Sequence, residues 1–217
     1  MSHLKRRNVP RKWPIPKKEG ATFVVKPRFN LEESVPILIA LRDMLKIAQN
    51  RKEVKKAIQS GNILVNNKIT RDERNSILLF DTLTIIPLKK YYQLGLSEYG
   101  KFKLEEIKES EINKKISKII DKKMQKGKKI QLNLSDGRNL LYDGKCNIND
   151  SVIINFKDKK ITGCLPLKEK ANSIIYGGKH AGKKGIITKL ELKRKIAKLN
   201  TGDKEINVLI KHLMVIE

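Results

Sequence analysis

The stretch Asn50-Arg51-Lys52-Glu53-Val54-Lys55-Lys56-Ala57-Ile58-Gln59-Ser60-Gly61-Asn62-Ile63-Leu64-Val65-Asn66-Asn67-Lys68-Ile69 carries, in order, a helix start, a helix stop and a tight turn between two apolar runs. Asn50 can cap a helix, with Glu53 three residues on completing a capping-box pair, and Gly61 supplies the stop. Val54, Ala57 and Ile58 form the apolar stripe, whereas Arg51, Lys52, Lys55 and Lys56 fall on the opposite face. Ile63, Leu64 and Val65, then Lys68 and Ile69, predict two short strands around Asn66-Asn67, because Asn tolerates the positive φ that a two-residue hairpin turn needs. Upstream, from Val35, the steps of three and four between Ile37, Leu38, Leu41, Met44, Leu45 and Ala48 predict an amphipathic helix, and Arg42 and Lys46, one turn apart, continue the basic edge. A further apolar strand is expected at residues 83–86. The unit reads as helix, basic helix, hairpin and strand.

Outside this unit the texture changes. Residues 1–30 hold nine Lys or Arg against the single acid Glu19, and Pro10, Pro14, Pro16 and Pro27 block long helices, so they read as a basic arm. Trp13, Phe23 and Phe29 within it favour docking over a solvated tail, since a lone tryptophan is poorly placed in water. Residues 110–126 read two ways. Ile112, Ile116, Ile119, Ile120 and Met124 match a helical stripe, yet Gly127 is followed at once by the alternating Ile130, Leu132 and Leu134 of a strand and by an Asp136-Gly137 turn. Short β-branched runs in 148–167 suggest a small sheet or barrel, and strand-like segments at 173–176, 185–188 and 207–210 make a second β unit.

Lys and Arg number 48 against 23 Asp and Glu, a formal charge of +25 on 217 residues. Such self-repulsion destabilises a compact state, and nucleic acid is the polyanion that would relieve it. The longest apolar stretch, residues 35–41, is interrupted by Pro36 and ended by Arg42, far short of the roughly 18 residues of a membrane span, and no apolar run of signal-peptide length follows Lys5, Arg6 and Arg7. The expectation is a protein of the cell interior with no membrane partner. Cys146 and Cys164 are too few and too far apart for a disulfide framework or a zinc cage and are expected as ordinary buried thiols.

Two motifs imitate enzymes. Gly177-Gly178-Lys179-His180-Ala181-Gly182-Lys183 satisfies the first seven positions of a phosphate-cradling P-loop, but Lys184 stands where a Mg²⁺-binding hydroxyl is required, and residues 185–188 look like a strand, not the helix that loop must open. Gly137-Arg138-Asn139-Leu140 imitates the loop of pseudouridine synthases with Asn139 in place of the nucleophilic aspartate, and an amide cannot replace a carboxylate. His3, His180 and His212 share no metal-ligand spacing and suggest no triad. No catalytic residue, metal, cofactor or small-molecule substrate is therefore expected. With 11 aromatics in 217 residues and no paired stacking signature, recognition of folded RNA by shape and backbone is favoured over single-strand stacking.

These residues together resemble a known family, the archaeal and eukaryotic small-subunit ribosomal protein number four of the e-type. His3-Leu4-Lys5-Arg6 with Pro10, Trp13 and Ile15, then residues 31–36 leading into Leu41-Arg42-Asp43-Met44-Leu45, resemble its N-terminal part. Asn50 to Val54, Gly61, Val65-Asn66, Lys68, Arg71-Asp72 and Phe80-Asp81 are similar to its alpha-L RNA-binding domain. Residues 127–140 resemble its central β domain, and Gly178-Lys179-His180, Gly182 and Gly185 its KOW segment, an SH3-like barrel turn. The resemblance implies an α+β, multidomain chain: a basic extension at 1–34, an alpha-L type domain at 35–90, a central β-rich domain at 91–169 and a KOW SH3-like barrel at 170–217. It also implies strand over residues 114–125.

The implied function is that of a nonenzymatic, cytoplasmic constituent of the small ribosomal subunit, with ribosomal RNA and neighbouring ribosomal proteins as partners. The residues expected to face RNA are Lys5, Arg6, Arg7, Arg11, Lys12, Trp13, Arg42, Lys46, Arg51, Lys52, Lys55, Lys56, Asn66, Lys68, Arg71, Arg74, Arg138, Lys179, His180, Lys183 and Lys184. Asn67 departs from the family's usual Gly, Phe29-Asn30 from its Pro-Gly-Pro-His stretch, and Ser135 from its His. The competing readings are an RNA-modifying enzyme using Asp136 or Asp143 behind an alpha-L docking domain, and a transcription or translation factor built on the KOW barrel.

Overall fold

The computed structural model describes residues 3–142, 144–202 and 204–216. The described residues are mostly β, arranged in several sheets, with one sizeable helix. The chain forms two compact units: one holds the chain up to Leu96 with Lys101–Asn113, and the other Ser97–Gly100 with the chain from Lys114 onward.

The first unit is built around an antiparallel sheet in the order Lys68–Ile69, Ile63–Val65, Thr82–Ile85, Lys90–Leu96, Phe102–Glu106. The helix Arg51–Gln59 forms as its sequence requires: Glu53 Oε2 accepts from the backbone N–H of Gln49 at 2.8 Å and of Asn50 at 3.4 Å, Val54 and Ile58 are buried, and Gly61 takes φ +72° at the stop. Asn66 and Asn67, at φ 52° and 60°, turn the expected hairpin, with Val65 opposite Lys68. The expected strand at 83–86 lies one residue earlier, at Thr82–Ile85.

The helix expected from Val35 to Ala48 is shorter and wider. Val35 is extended and pairs with Ile77, as the residue before a proline prefers. Ile37–Ile39 then winds as α-helix and Ala40–Met44 as a wider turn, with Leu45 N–H donating to Ala40 O at 3.0 Å, and Lys46 at φ +54° ends it. Five consecutive residues from Ile37 to Leu41 are buried, so no single stripe governs the segment and its periodicity does not mark its end. The arm is folded: His3–Lys5 pairs antiparallel with Phe23–Val25.

In the second unit Lys114–Met124 is one eleven-residue strand, so the helical alternative for 110–126 is excluded. Its early residues pair with Ser151–Asn155 and its later ones with Ile130–Leu134, with a bulge between Ile119 and Asp121. The stripe that suggested a helix is split between surroundings: Ile119 is buried, whereas Ile120 and Met124 face solvent. Asn139–Leu141 and Lys160–Leu165 complete this sheet at its two edges. Cys146 and Cys164, expected as separate thiols, lie sulfur to sulfur with Cα atoms 6.3 Å apart. The antiparallel pairing of Val152 with Cys164 closes a separation of 18 residues that looked too wide along the chain. A second sheet runs Glu205–Leu209, Ile196–Asn200, Lys184–Glu191, Asn172–Ile175, Leu213–Val215, around a core of Ile175, Ile187, Ala197, Leu199, Val208 and Leu213.

Candidate nucleic-acid interface

On the helix Arg51–Gln59, burial of Val54 and Ile58 forces Lys52, Lys55 and Lys56 outward, and all three are exposed. Arg51 shares the face but has a partner. Its Nε donates to Glu73 Oε1 at 2.9 Å and Oε2 at 3.0 Å, and its Nη2 also donates to Oε1. Glu73 is only 5% exposed, so Arg51 neutralises a buried carboxylate, and the same bonds raise the guanidinium pKa above its ordinary value. Lys55 Nζ stands 4.0 Å from that carboxylate. The unshared cations of this face are therefore Lys52 and Lys56 among those predicted.

Asn66 turns inward. Its Nδ2 donates to Asp81 Oδ1 at 2.8 Å and its Oδ1 accepts from Thr82 N–H at 3.0 Å, so its side chain holds the hairpin to the next strand. Lys68 and Arg71 are exposed beyond it, and Arg74 is half-buried with Nε 3.4 Å from Lys26 O.

Within the arm, Lys5, Arg7 and Arg11 are exposed. Trp13 belongs to the core instead: it is 2% exposed, and its indole N–H donates to Ser34 O at 2.9 Å. Lys12 sits 6.0 Å from the centre of the Phe102 ring, and burial lowers its pKa against the opposing pull of Glu33 and Glu32. Arg6 is fixed by two carbonyls, Ala21 O at 2.7 Å from Nε and Pro16 O at 3.0 Å from Nη1. It converges with Arg42 and Lys46 on one cleft, which the sequence treated as two separate basic patches.

In the second unit Arg138 lies 4.8 Å from the centre of the Phe156 ring and 3.5 Å from Asp136 Oδ2. Lys115 Nζ reaches the same oxygen at 3.0 Å from inside the sheet. Asp136 is thereby held in ion pairs, a poor setting for a general base; Asp143, the other candidate of the enzyme reading, is outside the described residues. Lys179, Lys183 and Lys184 are exposed and His180 half-buried on the glycine loop. That loop leads into the strand Lys184–Glu191, which removes the helix N-terminus a P-loop needs. Gly182, at φ +93°, brings the backbone so close to Ser97 that a Cβ would collide with the Ser97 carbonyl.

Sequence reasoning missed Lys118. It is 2% exposed, its Nζ donates to Ile210 O and, at 2.8 Å, to Leu213 O, and burial lowers its pKa from 10.5 to about 8. The one available signal was a lysine between the apolar Ile116 and Ile119 on a strand. Among the described residues no group of three His, Cys, Asp or Glu could hold a metal ion, and no helix is long and apolar enough to cross a membrane.

Comparison with known proteins bears on this basic surface. Residues 88–161 match the sequence model of Ribosomal family S4e, and residues 2–29 match the RS4NT (NUC023) domain. The chain is 37% identical over 188 residues to the small ribosomal subunit protein eS4 of Nanoarchaeum equitans, covering 85% of this chain and 80% of that one. It is 34% identical to the eS4 of Methanocella arvoryzae, over 90% of this chain and 84% of that one. For the eS4 of Pyrobaculum aerophilum the identity is 31%, over 100% and 95%. The crystal structure of 30S ribosomal protein S4e from Thermoplasma acidophilum superposes with a TM-score of 0.74 at 23% identity, covering 85% of this chain and 95% of that one, which shows a shared fold.

Proposed function

The chain belongs to the S4e family of small-subunit ribosomal proteins, and on that premise we propose that it is a structural, nonenzymatic component of the small ribosomal subunit in the cytoplasm, where it binds ribosomal RNA and touches neighbouring ribosomal proteins. The observation that carries this reading is the formal charge of +25 together with exposed lysines and arginines on the helix, the arm and the glycine loop. Backbone contacts of this kind position a protein on folded RNA without reading bases.

The finer assignment follows the same reading. Residues 35–90 are an alpha-L type RNA-binding domain that offers Lys52 and Lys56 on its helix, Lys68 on its hairpin and Arg71 beyond it. We assign residues 91–169 to a central β-rich domain, whose own sheet begins at Lys114, while its strands up to Glu106 hydrogen-bond into the sheet of the first unit. Residues 170–217 are a KOW SH3-like barrel whose five strands enclose one apolar core, with Lys179, Lys183 and Lys184 at its glycine loop. The basic extension 1–34 adds Lys5, Arg7 and Arg11.

Binding of the purified protein to small-subunit ribosomal RNA across a salt series tests the reading. If about ten phosphates are neutralised, log K falls against log salt with a slope near −9 for duplex, and a flat response rejects it. Sedimentation separates a constituent from a factor: the constituent stays in stoichiometric amount with small subunits through a high-salt wash, and a factor leaves.

A further inference from the structure

The cleft at which Arg6, Arg42 and Lys46 meet has a volume of about 580 Å³, within the roughly 300–1,000 Å³ of pockets that enclose a small ligand. Two of its cations are held in place. Arg6 is fixed by carbonyls that carry no formal charge, so it keeps its full positive charge, while Arg42 is aligned on Asp43 through Nε at 3.2 Å and Nη2 at 2.9 Å. Three cations against one carboxylate leave the lining at +2. The same lining contains an aromatic ring, Phe23, which is 54% exposed, and an amide, Gln49. His3 braces that ring edge-on, with centroids 4.8 Å apart and planes at 78°.

A ring that leaves a face to solvent beside a +2 lining and an amide matches a nucleotide in each part. The base stacks on the ring, its edge meets the amide, and the two phosphodiesters that flank it in a strand match the charge. A duplex cannot present a base this way, because its bases are stacked and paired. We infer that this cleft receives a single unstacked nucleotide of the bound RNA, with the base on Phe23 and the flanking phosphates on Arg42, Lys46 and Arg6. The inference rests on the RNA-binding reading above and adds one base-contacting point to an otherwise backbone-directed surface. The exposed Lys5 and Arg7, on either side of Arg6 in the chain, supply charge for the strand that carries the nucleotide.

The test uses the full chain on small-subunit ribosomal RNA, comparing wild type with Phe23→Leu, which removes the ring and keeps an apolar side chain, and with Lys46→Gln, whose side chain is exposed on the first unit. Short-wavelength cross-linking should join the peptide containing Phe23 to one nucleotide. Acylation of 2′-hydroxyls should show that nucleotide reactive in free RNA, protected by wild type and exposed again with Phe23→Leu while the rest of the footprint persists. Affinity should fall about ten- to hundredfold for Phe23→Leu, and less, with a shallower salt slope, for Lys46→Gln. Wild-type affinity and footprint in both variants would overturn the cleft inference and leave the RNA-binding reading standing, whereas no binding by the wild type would bring down both. Saturable micromolar binding of a free nucleoside monophosphate, unaffected by RNA, would make the cleft a small-molecule site and overturn the inference as well.

Discussion

Replacing Lys118 by Met preserves the length and apolar stem of the side chain and deletes only the amine that Ile210 O and Leu213 O accept from. Two effects oppose each other. Leu213 O loses a buried donor, at a cost of about 1–3 kcal/mol, whereas Ile210 O keeps the backbone N–H of Leu213; against this, removing a charge from a buried position gives back its desolvation penalty. The second effect is set by the pKa: at about 8 in the fold against 10.5 for an ordinary lysine, the charged form is disfavoured by roughly 3 kcal/mol, at about 1.4 kcal/mol for each pH unit. Below pH 8 the amine is protonated in both states and the penalty is complete. Between pH 8 and 10.5 the unfolded chain binds more protons than the folded one, so stability rises with pH, and above 10.5 the penalty is gone. Lys118→Met has no such term. Urea unfolding followed by circular dichroism, on both proteins from pH 7 to 10.5 at constant ionic strength, gives the difference in which every other titration cancels. Wild type should gain on the variant by on the order of 3 kcal/mol across that range. A difference that stays level with pH would show that the buried ammonium is not penalised and would refute the argument.

The remaining predictions concern the helix, the glycine loop and the arm. Reversing Lys52 and Lys56 together should weaken RNA binding and flatten its salt dependence with helix content unchanged, whereas Arg51→Glu should destabilise the fold itself by about 1–3 kcal/mol, since Glu73 loses its partner but Arg51 is half open to solvent; circular dichroism and filter binding separate the two. Asn50→Ala should cost about 1 kcal/mol in urea unfolding through loss of the helix cap. Gly182→Ala, with its left-handed φ and its collision with Ser97 O, should cost about 2 kcal/mol or more and lower the melting temperature. Trp13→Phe should cost about 1–3 kcal/mol because Ser34 O loses a buried donor, and an unchanged melting temperature would return Trp13 to the surface.

Short-range chemistry made the central motif of the first unit readable. Capping by Asn50 and Glu53, the stop at Gly61 and the paired Asn66 and Asn67 act within four residues, and each appears where the sequence puts it. What depends on distant partners did not show. Lys114–Met124 has helical spacing, but both neighbours of that strand are supplied by chain further on, and their pairing decides its conformation. The same limit applied to charge. Arg51 and Lys52 are adjacent and alike on paper, and only the approach of Glu73, 22 residues away, distinguishes an internal ion pair from a free cation. Trp13 and Asn66 were assigned to a ligand because their types suit one, and both instead complete the fold: Trp13 bonds Ser34, and Asn66 bonds Asp81 and Thr82. Conversely, the meeting of Arg6 with Arg42 and Lys46 required the arm to fold back through its antiparallel pairing.

The strand Lys114–Met124 is a splice between two hairpins, paired with one over its first five residues and with the other from Ile119 onward, across the bulge. Because side chains alternate faces, adding or deleting a single residue on either side of that bulge would turn Lys115 and Ser117, or Lys122 and Met124, to the wrong surface. Two sheet segments would then lose their registration at once. Register alone therefore predicts that changes of length are tolerated in the connections to this strand's partners and not within it, so that the eleven-residue span acts as a fixed ruler for the sheet.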